Sequence, residues 1–193
     1  FEGFRDYPVV LIVDACNAAL LVNSRGVARR RKARAHRLRL ENYPNVGVIL
    51  ASSTVGETHE WGRFLAGIFS HEIRSGLLGP ADLNGDKKIT FAELAAFVAA
   101  ANARVRNPTV RVRAYIRPPT RHPNFAIMDL NRARFPVRVR IGRTIRGRAH
   151  VVDSELIRYA DFHKGARQTF TLALTSRKPF VIVHGDDEYV VPA

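Results

Sequence analysis

Two short runs constrain the fold of this chain more than any other feature. Pro8 to Ala15 reads PVVLIVDA and Val46 to Ala51 reads VGVILA, both nearly unbroken and rich in β-branched residues. A strand with one wet face alternates apolar and polar residues. Unbroken runs therefore predict strands covered on both faces, as in a parallel sheet packed between helices. Helical spacing follows at Phe64, Leu65, Ile68, Phe69, Ile73 and Leu77, which predicts a helix from Trp61 to Leu78 ended by Gly79-Pro80. A second helix, Thr90 to Arg104, opens on a T-x-x-E capping box of Thr90 and Glu93. Val110 to Ile116 alternates and reads as a strand, and Phe125 to Leu130 as another. These elements make residues 1–130 an α/β unit.

From about Asn131 the texture changes. PVRVRI, RGRAHVV, QTFTLAL, FVIVHG and EYVVP are short strand-like runs between turn residues, with Gly185-Asp186-Asp187 as a hairpin turn. Only Ser154 to Ala160 reads as a turn or two of helix. Residues 131–193 are thus expected to form a small β-rich accessory unit. No run nears the roughly 20 apolar residues of a membrane span, and one cysteine leaves no internal disulfide. With no signal-peptide layout, the expectation is a cytoplasmic protein without a membrane partner.

Charge is lopsided: 31 basic against 17 acidic residues, a net +14. Eight of the basic residues lie between Arg25 and Arg39 with no acid among them. Nucleic acid and acidic surfaces become possible partners. That segment, however, has no aromatic interleaving and no helical face, which leaves nucleic acid the alternative partner, not the first one. Blocks of like charge are ordinarily solvated loops.

Cys16 stands two residues past Asp14, just beyond the carboxyl end of the first buried run, where open α/β sheets place their reacting groups. A lone cysteine can equally be a small buried hydrophobe. The strand followed by Asp14-Ala15-Cys16 resembles the nucleophile segment of the caspase-like cysteine peptidases, the clan of caspases and metacaspases. Their patterns there are Q-A-C-x-G and D-x-C-H-S-G. Downstream the likeness continues in order: a basic segment at the cleavable linker (about residues 23–42), VGVILA, Ser53-Thr54-Val55-Gly56, Trp61, and Ala66-Gly67-Ile68-Phe69. Residues 8 to 130 are covered. Asn17-Ala18-Ala19 departs from the H-S-G of metacaspases.

The resemblance implies a caspase-like sheet flanked by helices and a cysteine endopeptidase that requires no cofactor. Cys16 would attack the peptide carbonyl and form a thioester that water hydrolyses, its own N–H helping to bind the oxyanion. The family's base is a histidine about fifty residues before the cysteine, so the partner implied is an upstream segment that carries it. Arg29, Arg30, Arg31 and Lys32 would be the processing site, and proteins the substrates. Bacterial relatives act in regulated proteolysis, including defence and cell-death cascades. Ser53, Glu60 and Trp61 fall on the substrate groove. Asp14 replaces the glutamine that caspases use in recognising aspartate, and Gly62 stands where they have an arginine. An anion beside the nucleophile favours cleavage after Arg or Lys, although Asp14 could instead cap a turn at the strand end.

Asp82 to Glu93 has calcium-loop spacing: Asp82, Asn84, Asp86, Lys88 and Glu93 occupy ligand positions 1, 3, 5, 7 and 12. Lys87 sits where glycine normally makes the sharp turn. The same residues also read as a polar interhelix turn in which Glu93 merely caps the next helix. Calcium is therefore a possible ligand, and a calcium-responsive interaction domain or an inactive basic binding module are the alternatives to a peptidase.

Overall fold

A computed structural model describes residues 2–15, 39–51, 60–61, 66–103, 105, 111 and 113–192. The architecture is mixed α/β and strand-rich, with several sheets and two helices. Strand β1 (Val9–Val13) pairs in parallel with β2 (Val46–Ala51), Val9 opposite Val46 and Val13 opposite Leu50. Two-residue strands β3 (Glu60–Trp61) and β4 (Ala66–Gly67) form a small antiparallel pair that leads into α1 (Ile68–Leu77). Then come β5 (Lys88–Thr90), α2 (Phe91–Asn102), β6 (Ala114–Arg117) and β7 (Ala126–Asp129). The first sheet has the order β1-β2-β6, and β6 runs antiparallel to β2.

Strand period two divides β2 between two cores. Val46, Val48 and Leu50 meet Leu40, Tyr43 and Tyr115 on one face, while Ile49 and Ala51 join the helices on the other. Gly47 leaves the room that Phe91 occupies: a Cβ there would lie 2.4 Å from the Phe91 ring. All six residues of β2 are buried, as the unbroken run requires. β1 differs. Among the described residues it is an edge strand with Ile12 46% exposed, and the sheet is mixed instead of purely parallel.

The helix expected from Trp61 begins only at Ile68. Gly67 is extended (φ −61, ψ 150) and Trp61 pairs with Ala66 in the short hairpin, which takes the backbone out of helical geometry before the apolar periodicity ends. α2 follows expectation. Thr90 Oγ1 accepts from Glu93 N, and Thr90 N donates to Glu93 Oε2 at 3.0 Å, closing the capping box.

Beyond residue 130 lie β8 (Val137–Ile141), β9 (Gly147–Asp153), β10 (Arg158–Lys164), β11 (Phe170–Leu174), β12 (Phe180–His184) and β13 (Asp187–Val191). β8 pairs with β11, and the other four form a sheet in the order β10-β9-β12-β13. Gly185, at φ 64, turns the last hairpin. Ser154 to Ala160 holds no helix. Arg158–Lys164 is a strand because its alternate residues Ala160, Phe162 and Lys164 point inward against β9. One contiguous apolar cluster runs from Ile49 and Phe69 through Ile141, Phe162 and Ile182. The turn after α1 is bonded to the β-rich region: Ala173 N donates to Leu78 O at 2.8 Å. At Gly79 (φ 126) a Cβ would stand 1.9 Å from Thr171 O, so only glycine lets the two backbones meet. Among the described residues no helix is long and apolar enough to cross a membrane.

Candidate functional site

Asp14 follows the last residue of β1, and the parallel ladder with β2 carries it to the amino-terminal end of α1. Its Oδ2 accepts a hydrogen bond from Ser70 Oγ. A Cβ on Gly67 would lie 3.0 Å from the same oxygen, so the missing side chain is what lets the carboxylate reach the helix end. Gly67 is the N-cap residue of α1 and supplies no capping side chain. A carboxylate from another element therefore stands against the positive end of the helix, a placement that contributes about 0.3–1 kcal/mol at an exposed site.

Glu60 pairs with Gly67 across the β3–β4 hairpin, so the backbones of Glu60 and Trp61 border the same corner as Asp14. The Glu60 backbone thus borders Gly67, which the Asp14 carboxylate reaches, although 46 positions separate Glu60 from Asp14 in sequence. Cys16, Ser53 and the processing residues Arg29, Arg30, Arg31 and Lys32 lie outside the described residues. Ser70 is the member that sequence reading missed. Its bond to Asp14 spans 56 positions, and no motif in the chain announces it.

His71, next to Ser70, turns the other way. It is 3% exposed, its Nε2 donates to Asp161 at 2.9 Å, and Arg74 Nη2 donates to its Nδ1 at 3.2 Å. An Arg donor requires Nδ1 to be the acceptor, so the Nε2–H tautomer is the one held here. Ser75 Oγ donates to His71 O and accepts from Asp161 N, and Arg158 Nε lies 3.2 Å from Asp161. This polar seam joins α1 to β10. No family model, curated protein or solved structure matches this chain.

The loop from Asp82 to Glu93 connects the helices. Lys87 has φ 64 and Gly85 φ 80, so the backbone makes the left-handed turn that a calcium loop needs even though Lys replaces glycine. Asp82 is buried, its Oδ1 accepting from Gly85 N at 2.8 Å and its Oδ2 from Lys87 N at 3.0 Å. Burial raises its pKa, the two backbone bonds oppose the rise, and Asp86 and Glu93 add to it. Asn84 and Asp86 likewise accept from Asp86 N and Lys88 N. Glu93 accepts from Leu83 N and from Thr90. Among the described residues no three His, Cys, Asp or Glu side chains gather to hold a metal ion. The loop's side-chain oxygens accept from its own N–H groups.

Proposed function

We propose that this chain is the nucleophile-bearing part of a caspase-like cysteine endopeptidase that cleaves after Arg or Lys. The observation that supports this most is the convergence of Asp14, at the carboxyl end of a strand in a parallel pair, with the Glu60–Trp61 hairpin. Cys16 follows Asp14 by two residues in sequence. The Asp14 carboxylate has oxygen capacity left after Ser70, enough for a guanidinium or ammonium of the substrate. A thiol needs a base to become the nucleophile, and an upstream histidine-bearing segment supplies it. The edge of β1 is where such a segment would add to the sheet.

Co-expression with the upstream segment should give cleavage of Arg- and Lys-containing peptides that Cys16→Ala abolishes. Asp14→Asn should lose the basic preference while melting as the parent does. Equal turnover in Cys16→Ala, or a preference for aspartate, would overturn the assignment.

A calcium-responsive loop is the second reading, favoured by the left-handed Lys87. Asp82, Asn84, Asp86, Lys88 and Glu93 would hold the ion. The expected result is a rise in melting temperature at millimolar calcium that Asp82→Ala removes. No rise in the parent would leave Glu93 with its capping role alone.

A further inference from the structure

Between Arg132 and Arg148 the chain has seven arginines and no acid, a second basic concentration separate from residues 25–39. The structure sorts it. Along β8 the apolar residues Val137, Val139 and Ile141 turn inward, so strand alternation sets Arg138 and Arg140 side by side on the solvent face. Arg143 and Arg146, both exposed, extend the row around the turn into β9, where Arg146 Nε donates to Arg143 O at 3.3 Å. Arg138 Nη2 donates to Ala133 O at 2.7 Å. Among the described residues none of the four has a carboxylate within ion-pair distance, whereas Arg132 and Arg158 do.

A fifth cation lies behind them. Lys164 is 1% exposed, and its ammonium donates to Gly165 O at 3.1 Å. Burial, then Arg146 and Arg143, push its pKa down. Among the described residues no carboxylate pairs with these arginines, and an unpaired cationic row is where a bound anion gains most.

We propose that Arg138, Arg140, Arg143 and Arg146 bind the phosphate backbone of duplex nucleic acid without regard to sequence. Arginine forks suit phosphate oxygens. Single-stranded partners are gripped by stacking on aromatic side chains, and no aromatic residue occurs between Phe135 and Tyr159, so backbone contact to a duplex is the mode this row offers. The surface is independent of Cys16 and adds a scaffold for recruitment to whatever the peptidase corner does. Edge strands also carry charge simply to prevent aggregation, and the experiment separates the two.

Anisotropy of a labelled random-sequence DNA duplex measures the affinity of the whole chain against salt. Four phosphate contacts give a log–log slope of about −3.6, so affinity should fall roughly 150-fold from about 50 to about 200 mM salt. The variant R138S/R140S/R143S/R146S should flatten that slope nearly to zero and keep its melting temperature, since all four side chains are exposed. The control R29S/R30S/R31S/K32S should retain the slope. Loss of binding in the control instead, unchanged binding in the β8 variant, or capture of poly-glutamate but not duplex would each overturn the proposal.

Discussion

The Asp14 carboxylate accepts the Ser70 hydroxyl with Oδ2, and among the described residues Oδ1 has no hydrogen-bond partner. One oxygen is therefore fixed to the helix, and the other keeps its lone pairs for a cation. In the proposed peptidase Ser70 would be a positioning residue. Removing it as Ser70→Ala forfeits a hydrogen bond of net worth about 1 kcal/mol, which corresponds to a roughly fivefold rise in KM for an arginine substrate. kcat should stay within error because Ser70 meets no reacting atom, and steady-state kinetics of the assembled enzyme measures both. A fall in kcat at constant KM would place Ser70 in the chemistry instead. The place of Asp14 at a strand end was legible, because a β-branched run ending in Asp-Ala-Cys marks a strand terminus. Ser70 was not, because in the sequence it is one hydroxyl among helix-forming residues and acquires meaning only from a contact across two elements.

At the scale of elements, α1 lies between the first sheet's core and β10, and its charged face is buried in the polar seam described above. Glu72 shows the cost. Its Oε1 is buried without a hydrogen-bond partner, and burial first, then the Asp161 charge, push its carboxyl up to about 7, with Arg148 pulling the other way. His71, Arg74, His150 and Arg158 line the same seam. Between 4.5 and about 7 the folded chain holds a proton there that the unfolded chain has released. Stability from this group is therefore full below pH 4.5 and falls as pH rises toward 7, by up to about 3 kcal/mol. Glu72→Gln should remove that decline, and melting temperatures between pH 5 and 8 are the check; an unchanged slope would show that Glu72 is not its source. The helix was foreseen from its apolar positions, but its start was misplaced by seven residues. Periodicity carries no information about Gly67, whose extended backbone and missing Cβ make room for Asp14.

For the molecule as a whole, local signals located most strands because β-branched alternation and turn glycines act over a few residues. β10 escaped because its inward residues are an alanine, a phenylalanine and a lysine, Ala160, Phe162 and Lys164, and a lysine reads as solvent-facing. The union of the two regions was equally hidden. It depends on Leu78 O meeting Ala173 N and on Gly79 touching Thr171, contacts between residues more than ninety positions apart.

The first strand has a consequence for a chain cut at Arg29–Lys32. β1 is held by its parallel ladder to β2, by Asn45 Nδ2 donating to Phe4 O at 2.7 Å and Tyr7 O at 2.8 Å, and by Arg121 Nη1 to Arg5 O at 3.3 Å. Severing the linker breaks none of these contacts. It replaces the high effective concentration of a tethered strand with the bulk concentration of a free peptide. The nicked protein becomes a two-component complex whose melting temperature climbs with protein concentration, whereas the intact chain melts at one temperature regardless. Serial dilution of the nicked form, followed by calorimetry, measures this directly, and a concentration-independent transition would contradict it. In the proposed peptidase dilution would then act as an off-switch, because the fragment that leaves carries Asp14 and Cys16.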